Sequence, residues 1–282
     1  PRSKNCGRRM HRLQITSAHN ARVKDAVRLR ERRGRQQQGR IIVDGARELL
    51  RAISADLVVR ELFVCPEACH TAEAGLVLEW SSTAAAPCYE VTRAVLEKLA
   101  FGDRAEGVVG VLDTPIRGWQ DIELPALKRG LAGEPLVAIL EGIEKPGNLG
   151  AICRTADAAG VSAILLADQT TDVFGPNAIR SSLGTVFTMP IVQASADEIL
   201  AWLASQRFAI FATRVGDGRL FTAADYRGPT AFVLGSEARG LSPTWSGAEI
   251  TAVQVPMLGA VDSLNVSVVA GLLFYEAMRQ RA

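Results

Sequence analysis

Five short apolar runs mark the second half of the chain, at residues 136–140, 163–167, 208–213, 230–234 and 252–255. Between them, stretches at 149–159, 176–183, 196–206 and 264–281 have the spacing of helices. Continuous apolar runs fit strands buried on both faces, and their alternation with helices predicts a parallel sheet covered on both sides. In such sheets ligands bind outside the carboxyl ends of the strands. The first part is less regular. A helix is expected from about Ala18, capped by Ser17, with Val23, Ala26, Val27 and Arg30 along one face. Lys24, Arg28, Arg32, Arg33 and Arg35 then occupy its solvent side and run into a turn over residues 34–39. Strands are expected at 40–43, 58–65, 88–91 and 107–112, with helices at 45–54 and 92–99 and an Ala-rich stretch left without an element. The pattern predicts a small α/β domain over residues 1–114 and a larger one over 134–282. Pro115, Pro125, Gly130 and Gly133 punctuate a linker at 115–133.

Composition adds boundaries. Of 282 residues, 48% are hydrophobic and 22% charged, which is ordinary for a globular chain. No apolar run reaches the roughly 18–20 residues of a membrane span. The first residues are polar and basic, without the apolar segment of a secretory signal, so a cytoplasmic protein is expected. The chain opens at Pro1 and Met10 is a candidate start, which would make residues 1–9 additional to the native protein. Its five cysteines form no CxxC pair. Cys65, Cys69, His70 and Cys88 are a weak zinc pattern, and no metal is expected. Charge changes the picture more. Residues 1–40 carry 13 Lys and Arg against Asp25 and Glu31, a local +11 in a chain of net +2, so the remainder sums to −9. Such polarity points to an anionic partner, RNA above all, through Arg22, Lys24, Arg28, Arg32, Arg33, Arg35 and Arg40. Binding through these side chains releases counterions and is salt-sensitive.

Three stretches place polar side chains at the expected ligand edge. In the first, Glu141 to Thr155, a Pro/Gly loop precedes Asn148, a candidate cap, and Arg154 follows within two turns. In the second, Leu234-Gly235-Ser236-Glu237-Ala238-Arg239-Gly240-Leu241, a strand runs straight into Gly-Ser-Glu. The third runs from Val255-Pro256-Met257 to Ser263-Leu264-Asn265 and then into an apolar helix. Each has a plainer reading: a capping Asn with a surface Arg, an ordinary glycine turn, and N-caps for the last helix. Nucleotide-fold signatures are missing, since no GxGxxG follows a strand and no GxxxxGK[ST] occurs. His11, His19 and His70 all precede the second domain, which disfavours a Ser-His-Asp hydrolase there.

Taken in order and at this spacing, the three stretches resemble the three motifs of the SpoU (TrmH) family of RNA ribose methyltransferases. Arg180-Ser181-Ser182-Leu183-Gly184 resembles a further family segment. Ile15-x-Ser17-x-x-Asn20-x-x-Val23-Lys24 and Val43-Asp44-Gly45 resemble the ribosomal-protein-like substrate-binding domain that often precedes the catalytic one. Glu141, Glu144-Lys145 and Thr185 depart from the usual residues. The resemblance implies a parallel-sheet domain ending in a trefoil knot, S-adenosylmethionine as methyl donor, a ribose 2′-hydroxyl as acceptor, and a homodimer. It further implies Arg154, Asn148, Glu237, Ser263 and Asn265 as catalytic residues. Thr213, Leu234, Gly235, Ser236, Gly240, Val255, Met257, Ser263, Leu264 and Asn265 would hold the cofactor, and Arg180 would join the RNA contacts. Ribosomal RNA of the 23S type is the expected substrate. A tRNA methyltransferase and a non-catalytic RNA-binding or ribosome-assembly factor are the alternatives.

Overall fold

The computed structural model describes residues 13–101, 106–122, 133–168, 171–236 and 239–282. It divides into two units, Pro1–Thr114 and Pro115–Ala282. In the first unit the elements are β1 (Leu13–Ile15), α1 (Ala21–Arg28), α2 (Arg32–Gln38), β2 (Arg40–Asp44), α3 (Ala46–Ser54), β3 (Val59–Val64), α4 (Ala72–Thr83), β4 (Cys88–Val91), α5 (Arg93–Leu99) and β5 (Val108–Asp113). They build a mixed sheet of order β1-β4-β3-β5-β2, in which β5 runs antiparallel to both β3 and β2. Val23, Ala26, Leu29, Phe63, Val95, Leu96 and Leu99 close its core.

Several local expectations are corrected. Helix α1 starts three residues later than expected, at Ala21: the Asn20 side chain caps it by accepting from the Arg22 N–H at 2.9 Å, and Ser17 lies outside the helix. Residues 34–39 are no turn, because all but Gly39 belong to α2. That helix has no apolar stripe to announce it. Instead, Gly34 lets it pass so close to α1 that an added Cβ would fall 2.0 Å from the Arg28 carbonyl oxygen. Arg35 is likewise not on the solvent side. It is buried, and its guanidinium donates to the Leu29 and Arg30 carbonyls, both at 2.6 Å. Those two carbonyls follow the end of α1, where orphan acceptors attract a cation. The Ala-rich stretch holds α4, with Thr71 accepting from the Ala74 N–H at the start.

The second unit contains β6 (Leu136–Glu141), α6 (Pro146–Ala158), β7 (Ala163–Ala167), α7 (Pro176–Ser181), α8 (Thr185–Thr188), β8 (Ile191–Ala194), α9 (Ala196–Ser205), β9 (Ala209–Thr213), β10 (Arg219–Leu220), β11 (Thr230–Leu234), β12 (Ile250–Gln254) and α10 (Val266–Arg281). Its seven strands are all parallel, in the order β10-β12-β9-β11-β6-β7-β8. Every residue of β6, β7 and β11 is buried, as the unbroken apolar runs predicted. The short β8 and β10 at the two sheet edges were not foreseen. On one face Val137, Ile139, Leu165, Ile210 and Val233 pack with Ile199, Leu203 and Trp245. Trp119 and Ile122, from the expected linker, join this core, while residues 123–132 lie outside the described set.

Elsewhere in the unit Tyr226 meets Phe211 and Phe232 edge-on, with centroids 4.8 and 4.9 Å away. Phe232 leads on to Phe274 of α10. The end of α10 is pinned by Arg281, which donates to the carbonyls of Tyr226 (2.8 Å), Gly228 (2.7 Å) and Glu134 (3.0 Å). Among the described residues no helix is long and apolar enough to cross a membrane.

Candidate cofactor and ribose site

Strands β12, β9, β11 and β6 are neighbours, so their carboxyl ends and the loops that follow converge on one edge of the sheet. There a cavity of about 280 Å³ opens. Thr213, Leu234, Gly235, Ser236, Gly240, Val255, Met257, Ser263 and Leu264 line it, which brings together nine of the ten residues expected around the cofactor. Arg214, Val215, Val253, Gln254, Asp262, Val266, Val269 and Leu273 complete the lining and were not foreseen. Val266, Val269 and Leu273 share one face of α10 at helical spacing, a signal that could have found them. The walls are thus mostly apolar, with a few polar groups among them, which suits a ligand with an apolar body and a polar end.

Backbone geometry shapes this pocket. Gly235 follows β11 directly, and a Cβ added there would lie 2.5 Å from both the carbonyl carbon and oxygen of Gly240. The loop folds back on itself: the Gly240 N–H donates to the Ser236 carbonyl at 2.9 Å, and the Arg239 N–H donates to the Ser236 hydroxyl at 3.0 Å. Beyond the loop, the buried side chain of Glu141 at the end of β6 takes three hydrogen bonds. The Ser242 N–H and hydroxyl each donate at 2.7 Å, and the Trp245 indole N–H donates at 2.9 Å. Hydrogen bonds to an ionised group contribute about 1.5–3 kcal/mol each, so this cluster holds the loop's far end to the sheet. Arg214 is fixed to the same segment, its guanidinium donating to the Trp245 carbonyl (2.8 Å) and the Ser246 hydroxyl (2.9 Å). Arg239 reaches across to Glu144 at 2.9 Å, tying the second stretch to the first.

Asn265 does not line the cavity. Its side-chain oxygen caps α10, accepting from the Ser267 N–H at 2.9 Å. Its amide nitrogen donates to the Asn148 side-chain oxygen at 3.2 Å, joining the first and third stretches. Asn148 itself is not a cap. Helix α6 begins at Pro146 with Lys145 in the capping position, so Asn148 sits in the first turn. Proline at the first helical position needs no hydrogen-bonded N–H, which lets the helix start ahead of the asparagine. Arg154, two turns on, is exposed and makes no hydrogen bond or ion pair among the described residues. Its neighbour Cys153 is buried, and burial pushes the thiol up to about 12, so it packs as an apolar group. Arg180 is half-buried on α7, which crosses α6 where Gly150 leaves no room for a side chain. Glu237 lies outside the described residues.

The basic residues of the first unit divide. Lys24 and Arg33 are exposed and without an ion pair among the described residues, and Arg32 is exposed beside them in sequence. Arg28 is exposed but pairs with Asp25 at 2.9 Å. Arg22 pairs with Glu61 and lies over the Tyr89 ring, 5.1 Å from its centroid. Arg40 is half-buried at the start of β2, and Arg35 is internal.

Comparison with known proteins places this arrangement. Residues 135–275 match the SpoU rRNA methylase family, and residues 20–110 match the MRM3-like substrate-binding domain. The chain belongs to the SpoU rRNA methylase family. Its similarity to some relatives runs over most of both proteins. The 23S rRNA (guanosine(2553)-2′-O)-methyltransferase RlmP of Bacillus subtilis is 25% identical, over 93% of this chain and 98% of its own. A crystal structure of an RNA 2′-O ribose methyltransferase shares 38% identity with a TM-score of 0.80, covering 95% and 99% of the two chains. AviRb of Streptomyces viridochromogenes, a SpoU methyltransferase solved in complex with AdoMet, shares 28% identity at a TM-score of 0.80, with 93% and 98% covered. The two matches account for both units: the SpoU match covers the parallel-sheet domain, and the MRM3-like match covers the mixed-sheet domain ahead of it in sequence.

Proposed function

We propose that this chain transfers a methyl group from S-adenosylmethionine to a ribose 2′-hydroxyl of 23S-type ribosomal RNA. The observation that carries the reading is the cavity at the strand ends, where residues from the second and third family motifs and the end of β9 form one lining. A bent adenosine and amino-acid ligand fits walls of this kind, apolar over Leu234, Val255, Met257 and Leu264 and polar at Thr213 and Ser263. When bound, the cofactor supplies a methyl already activated by its sulfonium, so the protein's tasks are alignment and relief of a proton.

Arg154 is assigned to the phosphate of the target nucleotide. Its guanidinium stays protonated and is a poor base, but it presents a planar fork of donors to phosphate. As the O2′–methyl bond forms and the sulfur–methyl bond breaks, the hydroxyl proton leaves the ribose, helped by the phosphate held there or by a strongly perturbed guanidinium. The Asn148–Asn265 pair and Ser263 position the ribose and the third motif, and Glu237 takes its role from the family motif. Lys24, Arg32 and Arg33 offer the first unit's phosphate contacts. With a ribosomal RNA substrate, we infer a cytoplasmic location.

The protein is further assigned a homodimeric state through α10. Val268, Leu272 and Tyr275 remain 52%, 38% and 46% exposed, at i, i+4 and i+7 on one face of that helix. Light scattering at micromolar concentration is expected to give twice the chain mass, and a monomer mass overturns this assignment. For the activity, purified protein is incubated with methyl-labelled cofactor and 23S rRNA, 16S rRNA or bulk tRNA, followed by mapping of alkali-resistant ribose positions. Label at one 23S ribose is expected. Label in tRNA alone replaces the substrate, and no transfer to any RNA makes the chain a binding or assembly factor.

A further inference from the structure

The cavity carries a charge that the family motifs do not explain. Among its described lining residues Asp262 is the one carboxylate and Arg214 the one cation. Their situations differ. Arg214 is held by the Trp245 carbonyl and the Ser246 hydroxyl. Asp262 is exposed and makes no hydrogen bond or ion pair among the described residues. It precedes Ser263 in the stretch that leads from the end of β12 into α10, immediately after the exposed Val261. A carboxylate at a cavity lined by Leu234, Val253, Val255 and Leu273 is placed to attract a cationic part of the ligand.

Resting on the cofactor reading above, we propose that Asp262 binds the α-ammonium group of the cofactor's amino-acid end. The cofactor offers two cationic centres, and chemistry separates them. Methyl transfer extinguishes the sulfonium charge, so a carboxylate set against the sulfur would favour the reactant over the transition state and slow the step. The ammonium keeps its charge from reactant to product. A carboxylate there helps binding without opposing transfer, and it holds S-adenosylmethionine and S-adenosylhomocysteine alike.

The test is calorimetry on the intact chain and on Asp262→Asn, which keeps the side chain's size. The probes are S-adenosylmethionine, S-adenosylhomocysteine and 5′-methylthioadenosine, the last of which lacks the amino-acid end and is measured by competition. The substitution is expected to weaken the first two equally, about fivefold, as suits a partly solvated charge pair, and to leave the third unchanged. Three results overturn the proposal: no loss for any probe, loss for S-adenosylmethionine alone, or equal loss for all three. The first denies the contact, the second moves it to the sulfonium, and the third makes Asp262 part of the cavity's framework. An intact chain that binds none of the probes instead overturns the cofactor reading itself.

Discussion

Replacing Arg154 with alanine abolishes methyl transfer, by about 10³-fold or more, while S-adenosylhomocysteine binds within about twofold of the unsubstituted chain. The magnitude is that of losing a positioned charged donor from a transition state. The separation of the two effects follows from location. Arg154 is exposed on α6, has no partner among the described residues and does not line the cofactor cavity. Truncating such a side chain costs the fold little, within about 0.5 kcal/mol, so the melting temperature should not move appreciably. Arg154→Lys sharpens the assignment. Lysine keeps the charge but not the planar fork, and an intermediate loss of about 10–100-fold is expected if the phosphate is gripped through two donors. Single-turnover transfer with saturating RNA, beside calorimetry of cofactor binding, separates these outcomes. Transfer by Arg154→Ala within a few-fold of normal removes this residue from the chemistry.

The parts of the fold that were legible in the sequence are those whose cause is local. Strands β6, β7 and β11 are buried on both faces, and that burial shows as unbroken apolar runs. The end of β11 pointed to the ligand edge that a parallel sheet opens there, while the individual residues of the cavity wall came from the family resemblance. What escaped was set by partners that only the folded chain brings together. Arg35 reads as one more surface arginine until the carbonyls of Leu29 and Arg30 are brought to it. Glu141 looks like a departure from the family pattern, yet it takes three hydrogen bonds from Ser242 and Trp245, about a hundred residues away. Asn148 follows the same rule. Its side chain suits a cap, but Pro146 starts the helix earlier, and the side-chain oxygen accepts from the Asn265 amide.

Cofactor affinity falls by about 100-fold or more in Gly235→Ala, equivalent to about 2.7 kcal/mol. A methyl group is small, but here it meets backbone rather than a yielding side chain. The new Cβ would stand 2.5 Å from the Gly240 carbonyl carbon and oxygen and 2.9 Å from the Leu241 nitrogen. The loop has little freedom to retreat. Its near side is closed by the Gly240 to Ser236 hydrogen bond, and its far side is held at Ser242 by Glu141. Either the bridge opens or β11 shifts, and both move Gly235, Ser236 and Gly240, three residues of the cavity wall. Forcing atoms into a packed site costs about 1–3 kcal/mol in stability, so a melting-temperature drop of several degrees should accompany the lost affinity. Gly259→Ala is the control. It lies between the third-motif residues Met257 and Ser263, but nothing stands within 4 Å of its added Cβ, so affinity and melting temperature should both hold. If Gly235→Ala binds S-adenosylhomocysteine within threefold of normal, the cofactor lies elsewhere. A loss confined to stability would make the glycine a packing requirement alone. Loss of affinity in Gly235→Ala with none in Gly259→Ala ties the ligand to the wall that β11 builds.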